Sequence, residues 1–163
     1  VKKFDADQRG LERMNTDFYE GNAMSKDLIH SELTEKIISA FYEVYNTLGH
    51  GFLEKVYENA MVTALRKRGL TVQQQRPIEV RFDGQVVGEY FADLYINELI
   101  IIEIKISEAI GDAHKSQLLN YLAATGTELG ILFNFGPQPS FTRKVMTRFE
   151  SMAAESFNPR TSA

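Results

Sequence analysis

Three charged residues interrupt an otherwise apolar stretch: Asp93, then Glu103 and Lys105, within the run from Phe91 to Lys105. Side chains two apart on a strand share a face, so Glu103 and Lys105 project together from a strand otherwise made of isoleucine. A strand that apolar is central and covered on both sides. Burying a carboxylate and an ammonium there is costly unless each finds a partner or a metal. Two carboxylates with water suit a hard cation such as Mg2+ or Mn2+. Such a cation polarises a phosphoryl oxygen and lowers the pKa of a bound water. A lysine beside it can orient that water, take its proton, or neutralise charge building on a phosphate. The alternative is a surface hairpin whose Asp and Glu-Lys pair face water, and the apolar context on both sides of Glu103 argues against it.

These residues act together only in one register. A two-residue turn at Asn97-Glu98 sets Asp93 opposite Ile102, on the face away from Glu103. A three-residue loop, Asn97 to Leu99, pairs Ile96 with Ile100 and hence Asp93 with Glu103. Phe91, Asp93, Tyr95, Ile101, Glu103 and Lys105 then share one face. Ala92, Leu94, Ile96, Ile100, Ile102 and Ile104 share the other, with no polar group. Burial of one face selects register strongly, so this second arrangement, or an equivalent bulge, is expected. It sets two like charges side by side, which repel unless a cation sits between them.

The flanking chain reads as the scaffold for this hairpin. Ile37, Ile38, Phe41, Val44, Tyr45 and Leu48 repeat at helical spacing, predicting a helix over 31–48 with Ser31 as N-cap and Gly49-His50-Gly51 as its stop. A second helix is expected over 53–68, ended by Gly69, with Arg66, Lys67 and Arg68 in its last turn suiting the helix dipole. Strands over 78–82 and 85–90 flank the hairpin turn Asp83-Gly84, and Gly88 marks a candidate bulge that re-aims the chain toward Asp93. The Asp93 strand continues this one, and the next spans 99–106. A helix over 112–124 and a strand over 129–135 follow. A last helix is expected over 141–152, with Phe141, Val145, Phe149 and Met152 on one side. The core order is helix, strand, strand, strand, helix, strand, with an extra helix at each end. The helix crossover between the last two strands makes this an α/β (α+β) fold with a mixed sheet.

At 163 residues the chain has room for one domain, placed at 27–152. Residues 1–26 are read as an N-terminal extension, with Met24 a candidate natural start; the alternative is a short helix over 8–20 packed on the domain. Residues 153–163 read as a tail. The chain has no cysteine, which excludes disulfides and thiolate metal sites, and its three histidines lack zinc spacing. With no secretory signal visible at the start, a cytoplasmic location is expected. No apolar run approaches a membrane span. A net charge of −4 disfavours a protein that coats nucleic acid by charge alone, but not an acidic metal site with a local basic rim.

Asp93 followed by Glu103-Ile104-Lys105 resembles the signature of the PD-(D/E)XK nuclease superfamily, with Ala92 where the superfamily name has proline. The order of elements resembles that superfamily's restriction-endonuclease-like core. More narrowly, Gly51-Phe52-Leu53-Glu54-Lys55-Val56-Tyr57 resembles the motif of the GxxExxY family, in the RecB-like branch, and the likeness spans about residues 33–148. The resemblance implies a divalent-metal-dependent nuclease that hydrolyses phosphodiester bonds by metal-activated water, on DNA in preference to RNA. It implies Mg2+ (or Mn2+) held by Glu54, Asp93, Glu103 and the carbonyl of Ile104, with Lys105 assisting the water. Gln117-Leu118-Leu119-Asn120-Tyr121 resembles the QxxxY motif of RecB-like nucleases. Gln117 and Tyr121 stack on one helical face and are expected to contact a substrate phosphate or orient the lysine, Gln117 in a catalytic role and Tyr121 in substrate binding.

Each assignment has a plainer counterpart. Glu54 can be a solvated helix glutamate, as Glu58 one turn later is expected to be, and Tyr57 is expected in the core. Gln117 and Tyr121 can be the outer side of an amphipathic helix with Leu118, Leu119 and Leu122 inward. For the whole chain the alternative is a catalytically inactive nuclease-fold binding module, or a subunit of a larger nucleic-acid-processing complex. A homodimer or protein partner stays open, and no membrane association is expected.

Overall fold

In the computed structural model, residues 29–146 are described. The expected N-terminal extension and C-terminal tail lie outside them. Helix α1 spans Ser31–Leu48 and buries the expected stripe, including Ile37, Phe41, Val44 and Tyr45. Ser31 is its first helical residue; the cap position belongs to His30, in the left-handed region at φ 56°, and no side chain caps the helix. At the other end Gly49 takes φ 67° and its N–H donates to the Tyr45 carbonyl. Helix α2, Glu54–Lys67, turns Tyr57, Met61 and Leu65 inward. The basic cluster at its end serves the fold. The Arg66 guanidinium donates to the Val72 carbonyl at 3.1 Å, and Arg68 pairs with Glu43 of α1.

Two long strands follow, β1 (Val72–Phe82) and β2 (Gln85–Ile96), joined by the Asp83-Gly84 turn. Both turn residues take positive φ, 48° and 75°, as the tight hairpin turn requires. The register slips by one residue between Val80, paired with Gly88, and Arg81, paired with Val86. This is the bulge that Gly88 marks. Strand β3 (Ile100–Lys105) pairs antiparallel with β2, Ile96 opposite Ile100, Tyr95 opposite Ile101 and Leu94 opposite Ile102. The three-residue loop is therefore the one adopted. Asn97 and Glu98 both take left-handed φ, and the Asn97 side chain accepts the Thr71 N–H at 2.8 Å, pinning the loop to the start of β1.

After α3 (Asp112–Thr125), strand β4 (Leu129–Asn134) runs parallel to β3. Strand β5 (Ser140–Val145) then returns antiparallel, giving a mixed sheet of order β1-β2-β3-β4-β5. This corrects the expected last helix: residues 140–145 are a strand, and the rest of that span lies outside the described residues. Phe141 and Val145 are four apart, which places them on one face of either a helix or a strand, so their spacing cannot separate the two. The open edge of β4 decides it, and Phe141 sits beside Phe133 of β4 with ring centroids 6.0 Å apart.

Helices α1 and α2 cover one face of the sheet and α3 the other. Ile102 and Ile104 pack with Phe41, Tyr57 and Met61, while Ile101 packs with Leu118, Tyr121 and Leu122. The four isoleucines of β3 are at most 1% exposed. Each contributes about 1.5–3 kcal/mol by its burial. One expected face assignment differs. Ala92 joins the cluster of Ile78, Tyr95 and Ile101 rather than that of Leu94 and Ile96. The alternation breaks beside Asp93, where the opposing Gln75 takes left-handed φ 53° between the paired positions Gln74–Leu94 and Arg76–Ala92.

A buried clip ties the end of β3 to the end of β4. The Asn134 side chain, 0% exposed, accepts the N–H groups of Ser107 and Gly136 at 2.9 and 3.0 Å and donates to the Ser107 carbonyl at 2.9 Å. A Cβ on Gly136 would lie 1.9 Å from the Ser107 carbonyl oxygen. Gly136→Ala is therefore expected to destabilise by about 2–3 kcal/mol, read as a lower urea midpoint with unchanged slope. An unchanged midpoint would mean that this loop has room to shift.

Candidate functional site

The site lies where β2 and β3 part. Their backbone ladder ends at Leu94 and Ile102, and side chains continue it. The Ile104 N–H donates to Asp93 Oδ2 at 2.7 Å, and the Asp93 N–H donates to Glu103 Oε1 at 3.2 Å. Each carboxylate thus takes a backbone donor from the other's strand, which holds the two groups together in the notch. Lys105 Nζ stands 3.9 Å from Glu103 Oε2, with its side chain 21% exposed. The notch opens on a cleft against α2, lined by Glu54, Lys55 and Glu58 on one side and by Gln75, Asp93 and Ile104 on the other.

Electrostatics follow from burial. Glu103 is 2% exposed. Desolvation first, and then the Asp93 charge, push its carboxyl up to about 8; the Asp93 N–H and the Lys105 ammonium offset only part of this. Desolvation likewise holds the Asp93 carboxyl above its ordinary range, opposed by the Ile104 N–H and reinforced by the charges of Glu58 and Glu54. A half-buried and a buried carboxylate, each disfavoured as an anion, face one another with the Lys105 ammonium nearby. Such a pair gains from added positive charge.

The structure gathers Asp93, Glu103, Ile104 and Lys105 in the notch. Glu54 is exposed in the first turn of α2, lines the cleft with Asp93, and its charge reaches both carboxylates. Among the described residues, no three carboxylate or imidazole side chains are gathered closely enough to make a ready-made metal cage. On α3 the Gln117 amide donates to the Tyr121 hydroxyl at 2.8 Å. Tyr121 is 5% exposed rather than on a solvated outer side. Burial raises its pKa, the Gln117 bond opposes this, and the charges of Glu103 and Asp93 add to it. Tyr57 is core, stacked on Phe135 with centroids 4.4 Å apart.

Glu58 departs from expectation. It is 4% exposed rather than solvated, with one oxygen on Lys55 Nζ at 2.8 Å and the other accepting from Gln75 Nε2 at 3.0 Å. The signal was present in the sequence: Glu58, Met61 and Leu65 lie at i, i+3 and i+7, the spacing of an inward stripe. Gln75 was also missed.

A family model of the PD-(D/E)XK nuclease superfamily matches residues 31–148. Among solved structures, the one described as "Crystal structure of SSO0001" is 20% identical with a TM-score of 0.48, the match covering 91% of this chain and 81% of that one. An alkaline exonuclease (LHK-Exo) from Laribacter hongkongensis is 14% identical with a TM-score of 0.42, covering 77% and 74%. No curated protein matches the chain.

Proposed function

We propose that this chain, which belongs to the PD-(D/E)XK nuclease superfamily, is a divalent-metal-dependent nuclease that hydrolyses phosphodiester bonds, in DNA in preference to RNA. The observation that carries the reading is the pair of carboxylates, half-buried Asp93 and buried Glu103, held in one notch with Lys105 beside them. The donor set fits a hard cation: two carboxylates and the Ile104 carbonyl are all oxygen ligands, and Glu54 faces the same cleft. Mg2+ or Mn2+ bound there supplies Lewis-acid polarisation of the phosphoryl group and a more acidic water.

The chain's own residues supply the rest. Asp93 and Glu103 would hold that cation in the notch and repel the phosphate from any other approach to it. The Lys105 ammonium, partly exposed beside Glu103, serves the negative charge that builds on phosphoryl oxygens as the bond to phosphorus forms. Gln117 donates to the Tyr121 hydroxyl, which turns that hydroxyl's own proton outward as a donor to a substrate phosphate. The narrower place, in the GxxExxY group of the RecB-like branch, is supported by what the motif tyrosine does. Tyr57 donates to the Gly49 carbonyl at 2.7 Å and accepts the Phe52 N–H at 3.3 Å, so it holds the loop that presents Glu54. Among the described residues no helix is long and apolar enough to cross a membrane. With no cysteine in the chain, a cytoplasmic setting belongs to the same proposal.

Incubation with single- and double-stranded DNA and with RNA, in Mg2+ or Mn2+, tests the reading. Cleavage is expected, faster on DNA and abolished by EDTA. Cleavage indifferent to EDTA, or a folded chain that cleaves no nucleic acid, would overturn it.

A further inference from the structure

Asp93 is held from a second direction, by a chain of side chains that the order of motifs does not reveal. Its Oδ2 takes the Ile104 N–H at 2.7 Å, and its Oδ1 takes Gln75 Nε2 at 3.3 Å. The same amide nitrogen donates to Glu58 Oε2 at 3.0 Å. A primary amide has two N–H bonds, so one nitrogen can serve both carboxylates. Glu58 is 4% exposed, and its other oxygen is fixed by Lys55 at 2.8 Å. Lys55, Glu58, Gln75 and Asp93 therefore form one relay from α2 into the notch.

The backbone makes the same point independently. Gln75 is not glycine, yet it takes φ 53°, which a side-chain-bearing residue rarely adopts. It does so opposite Asp93, at the position the β1–β2 ladder passes over between Gln74–Leu94 and Arg76–Ala92. Disfavoured backbone that persists beside a functional group is maintained by what the residue contributes there. The contribution visible here is the amide, delivered between two carboxylates that would otherwise repel.

We propose that Gln75, anchored by Glu58, is a positioning residue that sets the orientation of the Asp93 carboxylate for a divalent cation. The proposal rests on the reading of Asp93 as a metal ligand. With donors on both oxygens, the carboxylate plane is fixed before the ion arrives, and little ordering remains to be done on binding.

Mn2+ titration of the full chain by calorimetry, beside thermal unfolding without metal, tests this. Gln75→Leu removes the amide, and Gln75→Gly removes it while relieving the left-handed backbone. Both are expected to bind Mn2+ roughly ten- to a hundredfold more weakly than wild type. The glycine variant is expected to unfold at the same or a higher temperature, a split that a purely structural role would not give. If the leucine variant does not fold, the glycine variant decides. Wild-type affinity in the variants overturns this inference alone. A folded wild-type chain that binds no Mn2+ overturns the ligand reading beneath it.

Discussion

Lys105→Ala is expected to lower kcat by roughly 10²- to 10⁴-fold, with KM and Mn2+ affinity little changed. The ammonium stands 3.9 Å from Glu103 Oε2 with its side chain 21% exposed, placed so that it would meet charge that exists only as the phosphorus is attacked. An interaction made only in the transition state lowers kcat and kcat/KM together and leaves ground-state binding alone. Lys105→Arg should recover little. A planar guanidinium is larger and presents its donors as a fixed fork rather than at a point. Single-turnover cleavage of a labelled duplex and calorimetry with Mn2+ separate the two quantities. Equal cleavage by wild type and Lys105→Ala would remove the lysine from the mechanism.

The second large effect is on stability. Folding carries the Glu103 carboxyl from the ordinary glutamate value of 4.5 up to about 8. Between these values the folded chain holds a proton that the unfolded chain has lost, so stability falls as pH rises through that window. Asp93 is shifted in the same direction and adds to the fall. The metal-free protein is therefore expected to lose on the order of a few kcal/mol between about pH 5 and pH 8. Glu103→Gln keeps an oxygen to accept the Asp93 N–H but carries no charge. It is expected to match wild type near pH 5, exceed it above pH 8, and be inactive. Mn2+ should stabilise wild type and not the variant, because only a ligand that prefers the folded state raises its stability. Urea unfolding across pH checks this, and parallel curves for the two proteins would contradict it.

Much of this arrangement was legible in the residues themselves. Glu103 and Lys105 in an isoleucine strand announced a buried charge. The need to keep one face apolar chose the three-residue loop that sets Asp93 toward Glu103. Helices α1, α2 and α3 followed from their stripes, and the two hairpin turns from Asp83-Gly84 and Asn97-Glu98. What escaped had physical causes. The strand at 140–145 shares its Phe141–Val145 spacing with a helix, and only the free edge of β4 distinguishes them. Counting back from the Asp83-Gly84 turn, Phe82 opposite Gln85 sets Gln74 opposite Asp93, and the one-residue bulge at Val86-Val87 moves that place to Gln75. The left-handed φ of Gln75 has no mark in the run Gln73-Gln74-Gln75. Glutamate on a helix usually meets solvent, whereas Glu58 lies on the inward Met61–Leu65 stripe and is buried. Glu54, suggested by its motif, is exposed at the head of α2 and lines the same cleft as Asp93.

The loss of activity and the Mn2+ stabilisation depend on one circumstance, that Asp93 and Glu103 share a cation in the notch between β2 and β3. Diffraction from crystals soaked in Mn2+, recorded for anomalous signal, observes that directly. The expected result is a peak within coordination distance of Asp93 and Glu103 and beside the Ile104 carbonyl. A map with no peak in the notch, from crystals that show Mn2+ bound elsewhere, would contradict it.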